Sequence, residues 1–199
     1  MNIQTTIENL KKRGYVVSFF ENGHEAAEHI ALQESGKTIG IGGSVTVEQI
    51  GLYDLLTPNN TVYWHWNKKD KTIIENASRA QIYITSANGV AETGEIVNID
   101  GNGNRVAATI FGHEKLYIII GVNKIEDTLE KAIFRARNIA APLNAKRLKR
   151  NTPCAISKEM RCYDCNSLER ICKAMSIHFA PTNAFQSCEV VIINQQLGF

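Results

Sequence analysis

Two glycine- and hydroxyl-rich segments carry the residues best suited to chemistry. The first is Gly40-Ile41-Gly42-Gly43-Ser44-Val45-Thr46. An apolar run, Thr38 to Ser44, leads through glycines into a helix start, since Thr46 with Gln49 fits a capping box. Such a turn presents backbone N–H groups and the positive end of a helix dipole, which suits a carboxylate or a phosphate. Gly42, Gly43, Ser44 and Thr46 are therefore candidate ligand contacts. The pattern is neither the dinucleotide fingerprint nor the Walker motif. The bland alternative is a tight strand-to-helix connection in which glycine only solves a steric problem. The second segment, Thr85 to Glu95, also follows a strand-like run. It offers Ser86 and Asn88 as ligand contacts, and Glu92 or Glu95 as a general base or nucleophile. Its bland alternative is a polar turn whose side chains cap backbone groups.

Asp100-Gly101-Asn102-Gly103-Asn104-Arg105 reads as a hairpin turn between Ile96–Ile99 and Arg105–Phe111. Asp100, Asn104 and Arg105 are further ligand candidates, with Arg105 as an anion clamp. Lys124 follows the apolar run ending at Gly121 and points at the same mouth; taken alone, a lysine there is ordinarily solvated. In Trp64-His65-Trp66, strand alternation turns His65 away from both tryptophans, as a structural residue or a site-wall base.

Four of the five cysteines, Cys154, Cys162, Cys165 and Cys172, fall within one stretch. A C-x₂-C pair lets two thiolates reach one metal, and two more complete a tetrahedral shell. Such sets hold zinc or an iron–sulfur cluster. The alternatives are a redox disulfide and plain reduced thiols. The spacing matches no standard ferredoxin or zinc-finger pattern. Cys188 precedes a strand and suits the core.

These residues need a scaffold, and the apolar pattern outlines one. Helices are expected over Met1–Lys12, His24–Leu32, a stretch containing Val47, Ile50, Leu52 and Leu55 that stops near Pro58, Lys71–Arg79 and Glu126–Ala141. Strands are expected over Tyr15–Phe20, which reads as buried, and over Thr38–Ser44, Val62–Trp66, Gln81–Ser86, Leu116–Gly121 and Glu189–Ile193. Alternating strands and helices indicate an α/β fold with a mostly parallel sheet flanked by helices, to which the hairpin adds an antiparallel pair.

The 199 residues suit one domain, 1–199, within which 142–188 forms a cysteine-rich basic subregion. From Leu143 to Lys173 there are eight Lys or Arg against three Asp or Glu, enough to offset thiolate charge. The overall formal charge of +2 argues against bulk nucleic-acid binding. No run approaches the roughly 18 apolar residues of a membrane span, and MNIQTTIENLKKRG lacks a signal-peptide core, so the expected location is the cytoplasm. A homodimer is the default for a soluble oligomer, though no residue demands one.

Several segments resemble the lactate-utilization (LUD) domain family: GIGGSVTVEQIGLYDLL, ITSANGVAETGEIVNIDGNGNRVAATIFG, IIIGVNKI and ARNIAAPLNAKRL, over about residues 38 to 148. The likeness extends through TPC…CYDC…RIC to LGF, as in the short, stand-alone branch of that family. The resemblance implies a fold similar to sugar-phosphate isomerases and CoA transferases. It also implies a link to machinery that oxidises L-lactate to pyruvate with iron–sulfur partner proteins. It supplies no set of catalytic residues. Three functions follow as expectations. The first is an accessory of lactate or hydroxy-acid metabolism that binds a small anionic metabolite; having no flavin or nicotinamide fingerprint, it would move electrons only through a partner or cluster. The second is an isomerase or acyl-transfer enzyme using Glu92 or Glu95. The third is a metal-bearing or thiol redox module.

Overall fold

The computed structural model describes residues 2–67, 70 and 72–199. Met1 and Lys71, the first residues of two expected helices, lie outside them. Six strands form a parallel sheet in the order β1-β10-β7-β4-β2-β3. Their ranges are β1 Val16–Phe20, β2 Thr38–Ile41, β3 Thr61–Trp64, β4 Ile82–Thr85, β7 Lys115–Gly121 and β10 Ser187–Ile193. The α/β architecture expected from the alternating pattern is therefore present, and the segment Glu189 to Ile193 does return to the sheet, between β1 and β7. β1 is less buried than expected, because it takes the sheet edge: Val16 is 51% exposed.

The central strands show why they read as unbroken apolar runs. Tyr117 and Ile119 of β7, with Val191 and Ile193 of β10, face a core shared with α2 (Gly23–Gln33), α3 (Val45–Gln49) and α4 (Leu52–Leu56). Leu116, Ile118 and Ile120, with Val190 and Ile192, face the opposite core, which α1 (Ile3–Lys12) enters through Leu10. A strand covered on both faces loses its polar alternation. At Gly40 of β2, α5 (Ile73–Ser78) approaches so closely that a Cβ would lie 2.4 Å from the Ala77 carbonyl oxygen.

On that second face lies a smaller sheet, β8-β5-β6-β9, from β5 Gly89–Ala91, β6 Ile96–Asp100, β8 Ile125–Glu126 and β9 Ala174–His178. Its Val90, Ile96 and Ile125 join the second core. Ala91, Val97 and Ile99 turn the other way, onto Ala132 and Ala136 of the following helical run.

Three expectations are corrected here. The hairpin does not turn at residues 101–104: β6 pairs antiparallel with β5 and β9, and the chain after Asp100 enters helix α6, Asn104–Ala108. The Asp100 carboxylate accepts from the Gly101 and Arg105 amides, at 2.8 and 2.9 Å, so it starts the helix rather than closing a hairpin. The helix after β2 is two short pieces, because Gly51 sits in the left-handed region at φ 67°. The long helix starts later and runs further than expected. It consists of α7 (Leu129–Arg135), a π-helical segment Ala136–Ala140 and α8 (Ala141–Arg147), and is followed by α9 (Pro153–Ile156). The widened π turn accommodates Pro142, which has no N–H to donate and whose ring would crowd a carbonyl one turn back.

No helix among the described residues is long and apolar enough to cross a membrane.

Candidate functional site

From β2 the chain crosses outward to β3 and then returns to β4 on the other side of β2, so the direction of winding reverses there. Loops leaving the carboxyl ends of such strands splay apart and open a crevice. Here they open a cleft of about 260 Å³. The loop after β2 contributes Gly43, Ser44 and Thr46 to its wall. The loop after β4 contributes Ser86 and Asn88, and the turn after β7 contributes Lys124. Asp100, Asn104 and Arg105 arrive from the end of β6 and the start of α6.

Lys124 is 3% exposed, and its Nζ lies 2.8 Å from Thr46 Oγ1 and 2.7 Å from Ser86 Oγ. Burial holds its pKa well below the usual lysine value, and the like charges of Arg135 and Arg105 push the same way. Arg105 is committed to neutral acceptors. Its Nη1 donates to Asn98 Oδ1 at 2.6 Å and Ser86 O at 3.2 Å, and its Nη2 donates to Asn88 Oδ1 at 2.9 Å and to the Ile99 carbonyl. It holds the walls in place and lends them positive field; its terminal N–H groups are not free to clamp a ligand. Asn88 is likewise structural, since its Oδ1 also accepts from the Ile99 amide at 2.8 Å.

The expected capping arrangement shifts by two residues. Ser44, not Thr46, caps α3, its Oγ accepting from the Val47 amide at 3.2 Å. Thr46 is thereby released toward Lys124, and Gln49 accepts from the Gly198 amide at 2.7 Å. Gly42 lies behind the rim, where a Cβ would sit 2.9 Å from the Tyr83 hydroxyl.

Glu92 and Glu95 are not in the cleft walls. They sit in the turn between β5 and β6 and fasten it to α1. Glu92 accepts from the Asn2 amide at 2.5 Å, and Glu95 pairs with Arg13 and Thr93. The polar-turn alternative describes both carboxylates.

Some wall residues were not singled out in the sequence. Arg147 stacks 4.7 Å over the Trp66 ring and, with Asn144 and Arg150, lines the cleft from α8 and beyond. His65, one of whose readings from the sequence places it in the site wall, lines the cleft too, and its pKa is lowered mainly by burial. Arg135 lies behind Lys124, 4% exposed, donating to the main-chain oxygens of Asn123, Asn88 and Phe199 at 2.9, 2.6 and 3.1 Å. The signal for Arg147 and Arg150 is the excess of Lys and Arg from Leu143 to Lys173, which also suits compensation of thiolates.

Cys154, Cys162, Cys165 and Cys172 do share the wall of one separate small cavity, with Arg137 and Arg170. The Asp164 amide donates to Cys162 Sγ at 3.4 Å, and Arg137 Nη2 lies 3.7 Å from it. Among the described residues, no three His, Cys, Asp or Glu side chains are grouped so as to hold one metal ion.

A parallel α/β sheet with a basic cleft at its winding reversal defines the class of protein. The LUD domain family profile matches residues 3–178, and the chain belongs to that family. A DUF162 family protein from Deinococcus radiodurans, known as a crystal structure, is similar in fold: TM-score 0.56 at 11% identity, over 96% of each chain. No curated protein matches the chain.

Proposed function

We propose that the chain binds a small anionic metabolite in this cleft, a hydroxy- or oxo-carboxylate or a phosphorylated compound, as an accessory of lactate or related hydroxy-acid utilisation. The supporting observation is the charge of the walls. Arg105, Arg147 and Arg150 line the cleft against one carboxylate side chain, Asp100, whose oxygens already accept from the Gly101 and Arg105 amides. A concave site with surplus positive charge favours an anion, and the burial of Arg105 weakens the screening that water would give its charge. Electron transfer in this reading falls to iron–sulfur partner proteins. Calorimetric titration with L-lactate, pyruvate and inorganic phosphate tests it. At least one should bind, with affinity falling as salt rises. Arg147→Ala should weaken binding about tenfold, roughly 1.4 kcal/mol. Absence of binding by every anion tried, or affinities unmoved by Arg147→Ala, would sink the reading.

A second reading concerns the four cysteines around one cavity. The Asp164 amide and the Arg137 guanidinium both lie against Cys162 Sγ, and zinc or an iron–sulfur cluster is the proposed occupant, with the loop drawing inward on loading. Metal analysis and a visible spectrum after anaerobic purification should show zinc or a broad iron–sulfur band, lost in Cys162→Ser. A metal-free chain with four titratable thiols in this segment would refute it.

A further inference from the structure

The hydrogen bonds around Lys124 fit an amine better than an ammonium. An ammonium has three protons to donate, and among the described residues it reaches two acceptors, Thr46 Oγ1 and Ser86 Oγ. An amine has two protons and a lone pair. It can donate to Thr46, whose own proton goes to the Leu197 carbonyl at 3.4 Å, and accept from Ser86. The Ser86 hydroxyl has only long alternatives: Thr46 Oγ1 at 3.4 Å and the Ala87 carbonyl at 3.5 Å. Ion pairs among the described residues do not include Lys124. The charged groups around it are Arg105 from α6 and Arg135 from α7, with His65, Asp100, Arg147 and Arg150 across the cleft. Among these side chains the four arginines oppose a proton on Nζ and Asp100 favours one. Ser86 itself lines the cleft.

We propose that Ser86 and Lys124 are a nucleophile and its general base for acyl transfer from an anionic thioester or ester. The pairing needs no third residue to orient a ring, because the amine is fixed by Thr46 and by burial. In the first step Ser86 Oγ bonds to the acyl carbon while its proton passes to Lys124 Nζ. The bond from that carbon to the leaving sulfur or oxygen breaks, and Lys124 returns the proton to the leaving group. Water or another acceptor then attacks the acyl-serine, giving its proton through Lys124 to Ser86 Oγ as that bond breaks. Surplus positive charge in the walls selects the anionic donor, so the substrate class rests on the anion-binding reading. The serine–lysine pair rests on its own geometry.

The test uses an uncharged alkyl fluorophosphonate on the full chain, followed by intact mass and peptide mapping. One adduct at Ser86 is expected, absent in Ser86→Ala. Its rate should rise with pH as Lys124 loses its proton, and should fall ~100-fold or more in Lys124→Met. No adduct in the unaltered chain overturns the proposal. So does an adduct elsewhere, or a Ser86 rate indifferent to Lys124→Met. Should Lys124→Met fail to fold by circular dichroism, the unaltered chain against Ser86→Ala still decides. Pyruvate and phosphate titrations of the unaltered chain run alongside. Anion binding without any adduct defeats the acyl-transfer proposal alone, whereas a Ser86 adduct without anion binding defeats the binding reading alone.

Discussion

Lys124 and Arg105 are both buried basic side chains beside one cleft, yet they do opposite things for stability. Arg105 satisfies four neutral acceptors, so its removal leaves Ser86 O, Asn98, Asn88 and Ile99 O without that donor. Arg105→Met should cost at least ~2 kcal/mol, read as a lower urea midpoint. Lys124 makes two hydrogen bonds at the cost of desolvating a charge. Its folded pKa lies below the unfolded one, so the unfolded chain binds the extra proton between the two values. Stability therefore rises with pH across that window, and the penalty is full below the folded pKa. Lys124→Met should raise the melting temperature, with the gain shrinking as pH climbs toward the ordinary lysine value. A lower melting temperature at every pH would show that the two hydroxyl contacts outweigh desolvation. A group kept at such a cost is expected where function requires it.

The elements around the cleft are positioned by close backbone approaches that only small residues allow. Gly40 admits the Ala77 carbonyl, and Gly89 admits the Ala132 carbonyl at 2.6 Å from where a Cβ would be. Gly40→Ala should destabilise the chain by about 1–3 kcal/mol, because the obstacle is backbone and cannot rotate away. An unchanged denaturation midpoint would mean that α5 is loosely held. The helical run from α7 to α8 matters for the same reason. The π segment before Pro142 lets it continue to Asn144 and Arg147, which reach the cleft. A proline inside an apolar-periodic stretch normally marks a helix end, yet here the helical run continues past Ala141 to Arg147. The DGNGN run is a similar case. Its glycines suit a hairpin, but the Asp100 carboxylate accepts from the Gly101 amide and from the Arg105 amide of α6, and the partner strands lie elsewhere in the chain.

At the scale of the whole molecule, two cores lie on opposite faces of the larger sheet. Buried histidines go with this packing. His113 and His178 are 5% and 7% exposed, and burial lowers the pKa of both, as it does for His65. The unfolded chain takes up these protons first as pH falls below about 6.5, so stability should decline from there toward the lowered folded values. Urea midpoints measured between about pH 7.5 and about pH 5 should fall, and His113→Phe should flatten part of that slope. A flat profile would place the histidines in water.

The amino-acid pattern alone determined the α/β class, the parallel sheet and most of its strands, because burial on both faces writes an unbroken apolar run of strand length. It also picked out the loops after β2, β4 and β7, since glycines and hydroxyls at strand ends are legible locally. Only the tertiary structure decided which of those residues meet. It drew Thr46, Ser86 and Lys124 from three neighbouring strands into hydrogen-bonding distance, 38 to 78 positions apart along the chain. It also turned Glu92 and Glu95 away to fasten α1. Strand order and side-chain direction set these distances, and neither is written in spacing along the chain.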